Sequence, residues 1–168
     1  MADVLISIRP EWVKKILVGE KTVEVRRSIP KMPAPFRCFI YETKGGGAGM
    51  IVGKFTCDRL IWVISHPTIF AGHPILHKRA IADACMTQDE AESYSDGKDL
   101  YGWHISDMVV FDDPKPLSDF HKPCPNSLLC ESCGMFNQHP EPGFCGNSAL
   151  QIKRPPQSWC YVEAPFYG

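Results

Sequence analysis

The sequence predicts an α+β fold, a small mixed β-barrel with two or three flanking helices. Three observations predict it. Five or six short segments carry strand patterning between turn residues. Helical periodicity is confined to two or three places, apart from those mainly antiparallel strands. No internal repeat is present, and 168 residues at 44% hydrophobic content suit one domain with a real core, 1–168.

The elements follow in order. Val4 to Ile8 is a short apolar strand. Pro10 suits the first turn of a helix, where its missing N–H is harmless, and Glu11 adds favourable charge there. Trp12, Val13, Ile16 and Leu17 recur at helical spacing, and Gly19 sits where a left-handed stop is expected. A strand follows in G-E-K-T-V-E-V-R-R, residues 19 to 27. Alternation puts Thr22, Glu24 and Arg26 on one face and Val23 and Val25 on the other. This compact β-α-β opening brings Ser7 and Arg9 close to that second strand, with Lys21 at its mouth. A carboxylate beside a guanidinium is either a satisfied ion pair or the floor of a polar cleft.

Residues 28 to 35 form a proline-rich connector. Phe36 to Thr43 is a strand, Lys44 to Gly49 a glycine-rich tip without the phosphate-loop pattern, and Met50 to Ile64 a long apolar strand or strand pair. Residues 67 to 86 look mostly helical after Pro74. Thr87 to Glu90 has capping-box spacing and starts a short helix that Gly97 can end. Tyr101 to Phe111 is a strand, Asp112 to Pro116 a turn, and S-W-C-Y-V-E the last strand.

Charge is polarised although the net is −1. Residues 1 to 37 hold eight Lys and Arg against four acids, and residues 82 to 120 hold two against ten. That allows a local basic surface for phosphates without making the whole molecule a polyanion magnet. No run approaches the roughly 18 apolar residues of a membrane span. The N-terminus lacks a basic region and a cleavage site, so the expectation is a soluble, cytoplasmic protein with no membrane partner.

Of eight cysteines, Cys38, Cys57, Cys85 and Cys160 stand isolated among apolar residues and read as small buried hydrophobes. Cys124, Cys130, Cys133 and Cys145 cluster as C-x5-C-x2-C-x11-C in a segment, 121 to 147, rich in Pro, Gly and Asn. Four thiolates so spaced suit a structural, tetrahedral Zn²⁺ with no open catalytic position. His121 or His139 can replace one cysteine. Free thiols or a partial disulfide are the alternative.

I-S-I-R-P-E-W followed by G-E-K-T-V-E-V-R-R resembles the ASCH domain family, within the PUA-like superfamily of small β-barrels. The family signature G-x-K-x-x-E-x-R is matched by Gly19, Lys21, Glu24 and Arg26. Y-G-W-H-I-S-D and R-P-P-Q-S-W-C-Y-V also resemble bacterial and prophage-associated members. The resemblance covers roughly 3 to 120 and 150 to 163, leaving the cysteine segment as an insertion.

The resemblance implies a cleft for RNA or a nucleotide, formed by Ser7, Arg9, Trp12, Lys21, Glu24, Arg26, Arg27, Trp103 and Trp159. Cations there neutralise phosphates, Glu24 accepts from an exocyclic amine, and an indole stacks on a base. Each tryptophan also fits a core position. Some members are described as ribonucleases or acetylcytidine amidohydrolases, which would make Lys21 and Glu24 catalytic. The amidohydrolase pattern has threonine where this chain has Glu24, with Thr22 displaced along the strand, which favours a binding module. A phage-related protein-interaction module is the remaining alternative.

Overall fold

The computed structural model describes residues 3–67, 73–124 and 147–163. Seven strands form one sheet: β1 (Asp3–Ile8), β2 (Val23–Arg26), β3 (Phe36–Glu42), β4 (Ile51–Ser65), β5 (Ile75–Leu76), β6 (Leu100–Lys115) and β7 (Trp159–Val162). Their spatial order is β2-β6-β4-β3-β1-β7, and β5 adds to β4. Only β1 and β3 run parallel. The architecture is the expected α+β, barrel-type fold, with a sheet that is not closed by a backbone ladder.

β1 is buried at all six residues because it lies between β3 and β7 and is covered on both faces. Val4, Ile6 and Ile8 enter one core cluster with Phe36, Phe55 and Trp103, while Leu5 enters another with Phe39, Tyr41 and Phe120. Helix α1 (Pro10–Leu17) starts on Pro10 and buries Pro10, Val13 and Ile16. Leu17, expected on its apolar face, is exposed instead. Gly19 takes φ +78, the left-handed stop that the sequence indicates.

A third cluster holds Val23 and Val25 against Val63, Ile81 and Ala84, beneath α2 (Lys78–Asp83) and α3 (Gln88–Ser95). The valine face of β2 is therefore its core face. Gly102 lies under this cluster, where an added Cβ would stand 2.7 Å from both Ile61 and Val23 side chains. Thr87 and Glu90 form the expected capping box on α3, which ends at Asp96 and Gly97, both at positive φ.

Three expectations are corrected. The opening is not a β-α-β unit of neighbouring strands, because β6, β4 and β3 lie between β2 and β1 in the sheet. Of the stretch 67 to 86, helix after Pro74 is confined to α2, Lys78–Asp83, since Ile75 and Leu76 pair with β4. The turn expected at 112 is strand as far as Lys115, held against Ile51. A short 3-10 turn, Leu117–Asp119, follows.

The two ends of the sheet nevertheless meet. The Arg26 guanidinium, on end strand β2, donates to the Ser7 carbonyl of β1 at 2.7 Å and reaches Ser158 Oγ, just before β7, at 3.4 Å. Side chains thus span a seam that no ladder closes. No helix among the described residues is long and apolar enough to cross a membrane.

Candidate ligand site

The seam opens onto a cavity of about 1000 Å³. One wall is the polar face of β2. Glu24 Oε1 forms an ion pair with Arg26 Nη2 at 2.9 Å, and Glu24 Oε2 lies 3.4 Å from Lys21 Nζ. Lys21 also donates to the Ala84 carbonyl at 2.9 Å, which ties β2 to the end of α2. Relative exposures of 3% for Lys21, 6% for Glu24 and 8% for Arg26 make this a buried triad.

Two cations share one carboxylate there, so the triad carries an excess positive charge that burial makes costly. Burial pushes the Lys21 ammonium below its usual 10.5, while the charge and hydrogen bond of Glu24 hold it up. Among the described residues, Arg26 Nε has no hydrogen-bond partner. A buried N–H left unpaired is a vacancy for an acceptor.

The remaining walls add to this charge. Arg9 at the N-terminus of α1, Lys44 in the glycine-rich loop, and Lys153 and Arg154 all line the cavity. With Lys21 and Arg26 that makes six cationic side chains, against the carboxylates of Glu24 and Glu90. Lys153 and Arg154 lie on the segment from Ile152 to Ser158, which crosses beside the seam. Ser7 holds that segment twice, its N–H donating to Ser158 O at 3.0 Å and its Oγ to Pro156 O at 2.7 Å. Apolar surface comes from Ile8, Met50, Met86, Tyr41, Tyr94 and Leu117.

Of the residues expected at the site, Ser7, Arg9, Trp12, Lys21, Glu24 and Arg26 come together on the cavity wall. Trp12 holds the ammonium groups of Lys15 and Lys21 at 5.2 and 5.1 Å from its ring, so its π-face is already engaged by cations. Arg27 lies elsewhere. Its guanidinium donates twice to the Tyr94 carbonyl, at 2.9 and 2.6 Å, and stacks 4.9 Å from that ring, clamping β2 to α3.

Trp103 is fully buried, edge-on to Phe36 and Trp159, and offers no face to a ligand. Trp159 is half-buried with Nε1 donating to Ser28 Oγ at 3.0 Å, and it does not line the cavity. These two indoles belong to the core cluster around β1. Sequence reasoning missed Lys44, Lys153, Arg154, Met86 and Tyr94. The K-R-P-P run was a visible signal for two of them: adjacent cations, then prolines that hold the chain extended.

Among the isolated cysteines, Cys38 and Cys57 are fully buried core residues. Burial raises the Cys38 thiol well above its usual 9.0. Burial and the charge of Asp58 push Cys57 up to about 12. Cys85 and Cys160 are only half-buried. Cys85 follows the C-cap of α2 at φ +56, its thiol donating to the Glu20 carbonyl, so it is a turn residue and not core.

In the cysteine cluster, Cys124 forms no disulfide among the described residues, and its backbone N–H reaches Glu163 Oε1 at 3.4 Å. His121 is buried and bridges Gln151 and Glu163 through its backbone. Cys130, Cys133, His139 and Cys145 lie outside the described residues. Among the described residues, no group of three or more His, Cys, Asp or Glu is placed to hold a metal.

No family model matches the chain, and no curated protein matches it. Solved structures do. The chain is similar to an ASCH protein from Zymomonas mobilis at 21% identity, with TM-score 0.54, covering 96% of this chain and 87% of that one. Two mutants of that protein, one Tyr to Phe and one Ser to Ala, give TM-scores of 0.57 and 0.58 at the same identity. They match over 96% of this chain and over 90% and 88% of theirs. The shared feature is the fold, and the chain therefore has an ASCH-type fold.

Proposed function

We propose that this ASCH-type fold binds single-stranded RNA or a nucleotide in the seam cavity, with a phosphate answering the excess charge of the Lys21–Glu24–Arg26 triad. The observation that carries this reading is the buried two-cation, one-carboxylate arrangement with Arg26 Nε left open. A ligand phosphate or carbonyl oxygen supplies both the missing charge and the missing acceptor. Arg9, Lys44, Lys153 and Arg154 give the rim the same sign, while Met86, Met50 and Tyr94 offer an apolar bed for a base.

Titration of a labelled single-stranded oligoribonucleotide against salt tests it. Wild type should bind with a log–log slope that falls by about 0.7 for each phosphate contact removed. The double variant Lys153→Ala/Arg154→Ala should be weaker and less salt-sensitive. Equal binding by wild type, this variant and Lys21→Met, or binding by none, would sink the proposal.

A hydrolase on the same cavity would use Lys21 and Glu24 as acid and base, and the lowered Lys21 value favours that role. Against it, Glu24 is already ion-paired with Arg26, and Thr22 is not on the cavity wall. Incubation with RNA and with acetylated cytidine should give no turnover above a Glu24→Ala control. Turnover in wild type alone replaces the binding reading with the enzymatic one.

The thiolate spacing supports a structural zinc on Cys124, Cys130, Cys133 and Cys145. Elemental analysis of reduced protein should find one equivalent, and less than about half would remove the assignment.

A further inference from the structure

Trp62 is the most conspicuous unexplained side chain of the sheet. It stands on β4, at one side of the three-stranded stretch β2-β6-β4, and it is 46% exposed. Its ring lies 4.8 Å from that of Tyr101, tilted by 41°, so the two form one aromatic ledge. No mutual stacking of this kind requires solvent exposure. A tryptophan buried by its neighbours would be the usual outcome on a sheet interior face.

The register places this ledge. Trp62 pairs with Tyr101, and Tyr101 pairs with Arg26. Directly paired residues share a face, so Arg26, Tyr101 and Trp62 form one row across three strands. Strands lie about 4.8 Å apart, which puts Trp62 roughly 10 Å from Arg26 across the sheet. Arg26 is the cavity wall. The row therefore runs from a residue that lines the cationic cavity to an exposed aromatic surface outside it.

We propose that the Trp62–Tyr101 ledge is a second base-stacking site, taking a nucleobase of the same strand whose phosphate lies at Arg26. This rests on the nucleic-acid reading of the cavity. It adds that the ligand is a strand of several nucleotides and not a free nucleotide. A chain of aromatic bases joined by anionic links is the ligand that matches a cationic cavity continued by an aromatic ledge. Every base has a π-face, so the ledge contributes affinity with little sequence preference.

Fluorescence anisotropy with two probes decides it, at low salt: a labelled mixed-sequence oligoribonucleotide of about ten nucleotides, and a labelled mononucleotide. Trp62→Ala should weaken the oligonucleotide by about fivefold or more, the worth of one stacked base, and leave the mononucleotide unchanged. Trp62→Phe keeps a π-face and should stay within about twofold of wild type. If Trp62→Ala binds the oligonucleotide as wild type does while Lys153→Ala/Arg154→Ala does not, the ledge is overturned and the cavity reading stands. An equal loss for both probes would also overturn it, since the pair would then act through the fold. If wild type binds neither probe, the ledge falls together with the cavity reading.

Discussion

Replacing Glu24 with glutamine keeps the side-chain shape and removes one charge. In the folded chain that charge faces Arg26 at 2.9 Å and Lys21 at 3.4 Å, with only 8% of the Glu24 side chain exposed. Glu24→Gln leaves two buried cations without a counter-charge. Breaking a buried pair from one side costs about 3–5 kcal/mol. The adjoining cavity lets water reach one side of the triad, so the lower end, about 3 kcal/mol, is the expected loss. In a chain of this size that lowers Tm by roughly 6–12 °C. Lys21→Met is the control. It deletes the extra ammonium, whose burial is the largest cause of its perturbed titration, and leaves the Glu24–Arg26 contact whole. It should fall within about 1.5 kcal/mol of wild type. Urea unfolding followed by tryptophan fluorescence measures both, with the slope m as the check that only the folded state has changed. A loss below about 1 kcal/mol for Glu24→Gln, or a larger loss for Lys21→Met than for Glu24→Gln, would refute the electrostatic account of the triad.

Three further outcomes are expected. Lys21 sheds its proton in the folded chain at a pH where the unfolded chain still holds it. The stability of wild type relative to Lys21→Met should therefore rise as pH climbs from the lowered value toward 10.5, and paired urea titrations along that range check the sign. Cys38 and Cys57, buried and with raised thiol values, should resist iodoacetamide in the folded protein and react once it is unfolded, as peptide mass mapping can show. Gly102→Ala places a Cβ 2.7 Å from Ile61 and Val23 and should destabilise by about 1–3 kcal/mol in a thermal melt, without altering ligand binding.

The local grammar of the chain was legible because it is short-range. Pro10, Gly19 and the Thr87–Glu90 box act within one turn of helix, and each stands in its expected place. The alternation in β2 also told truly which face would be apolar, since the strand period is fixed at two. Long-range contacts were less legible. Nothing in residues 1 to 27 says that three strands will insert between β1 and β2, so the contact of Arg26 with Ser7 looked like local β-α-β proximity. The aromatic residues show the same limit. An indole in a strand can face the core or the ligand, and Trp103 went to the core while Trp62, which drew no notice in the sequence, remained outside. Lys153 and Arg154 reach the cavity only because Ser7, some 150 positions earlier, holds the carbonyls of Pro156 and Ser158.

The seam explains why a charged triad persists in so buried a place. A ladder between the end strands β2 and β7 would close the sheet and satisfy both edges with backbone bonds. It would also fill the gap through which the cavity opens. Arg26 instead spans the gap with a side chain and leaves space beside it. Well-packed apolar residues in place of a buried ion cluster are often neutral or stabilising by about 1–4 kcal/mol. The native triad therefore gives up stability that the fold could have had. The proposed anionic ligand would return it, because anything that binds only the folded state stabilises by about 2.7 kcal/mol at a hundredfold excess over its Kd. Stability and binding should thus trade against each other at these three residues. A triad variant that melts higher than wild type while binding the oligonucleotide equally well would break that link.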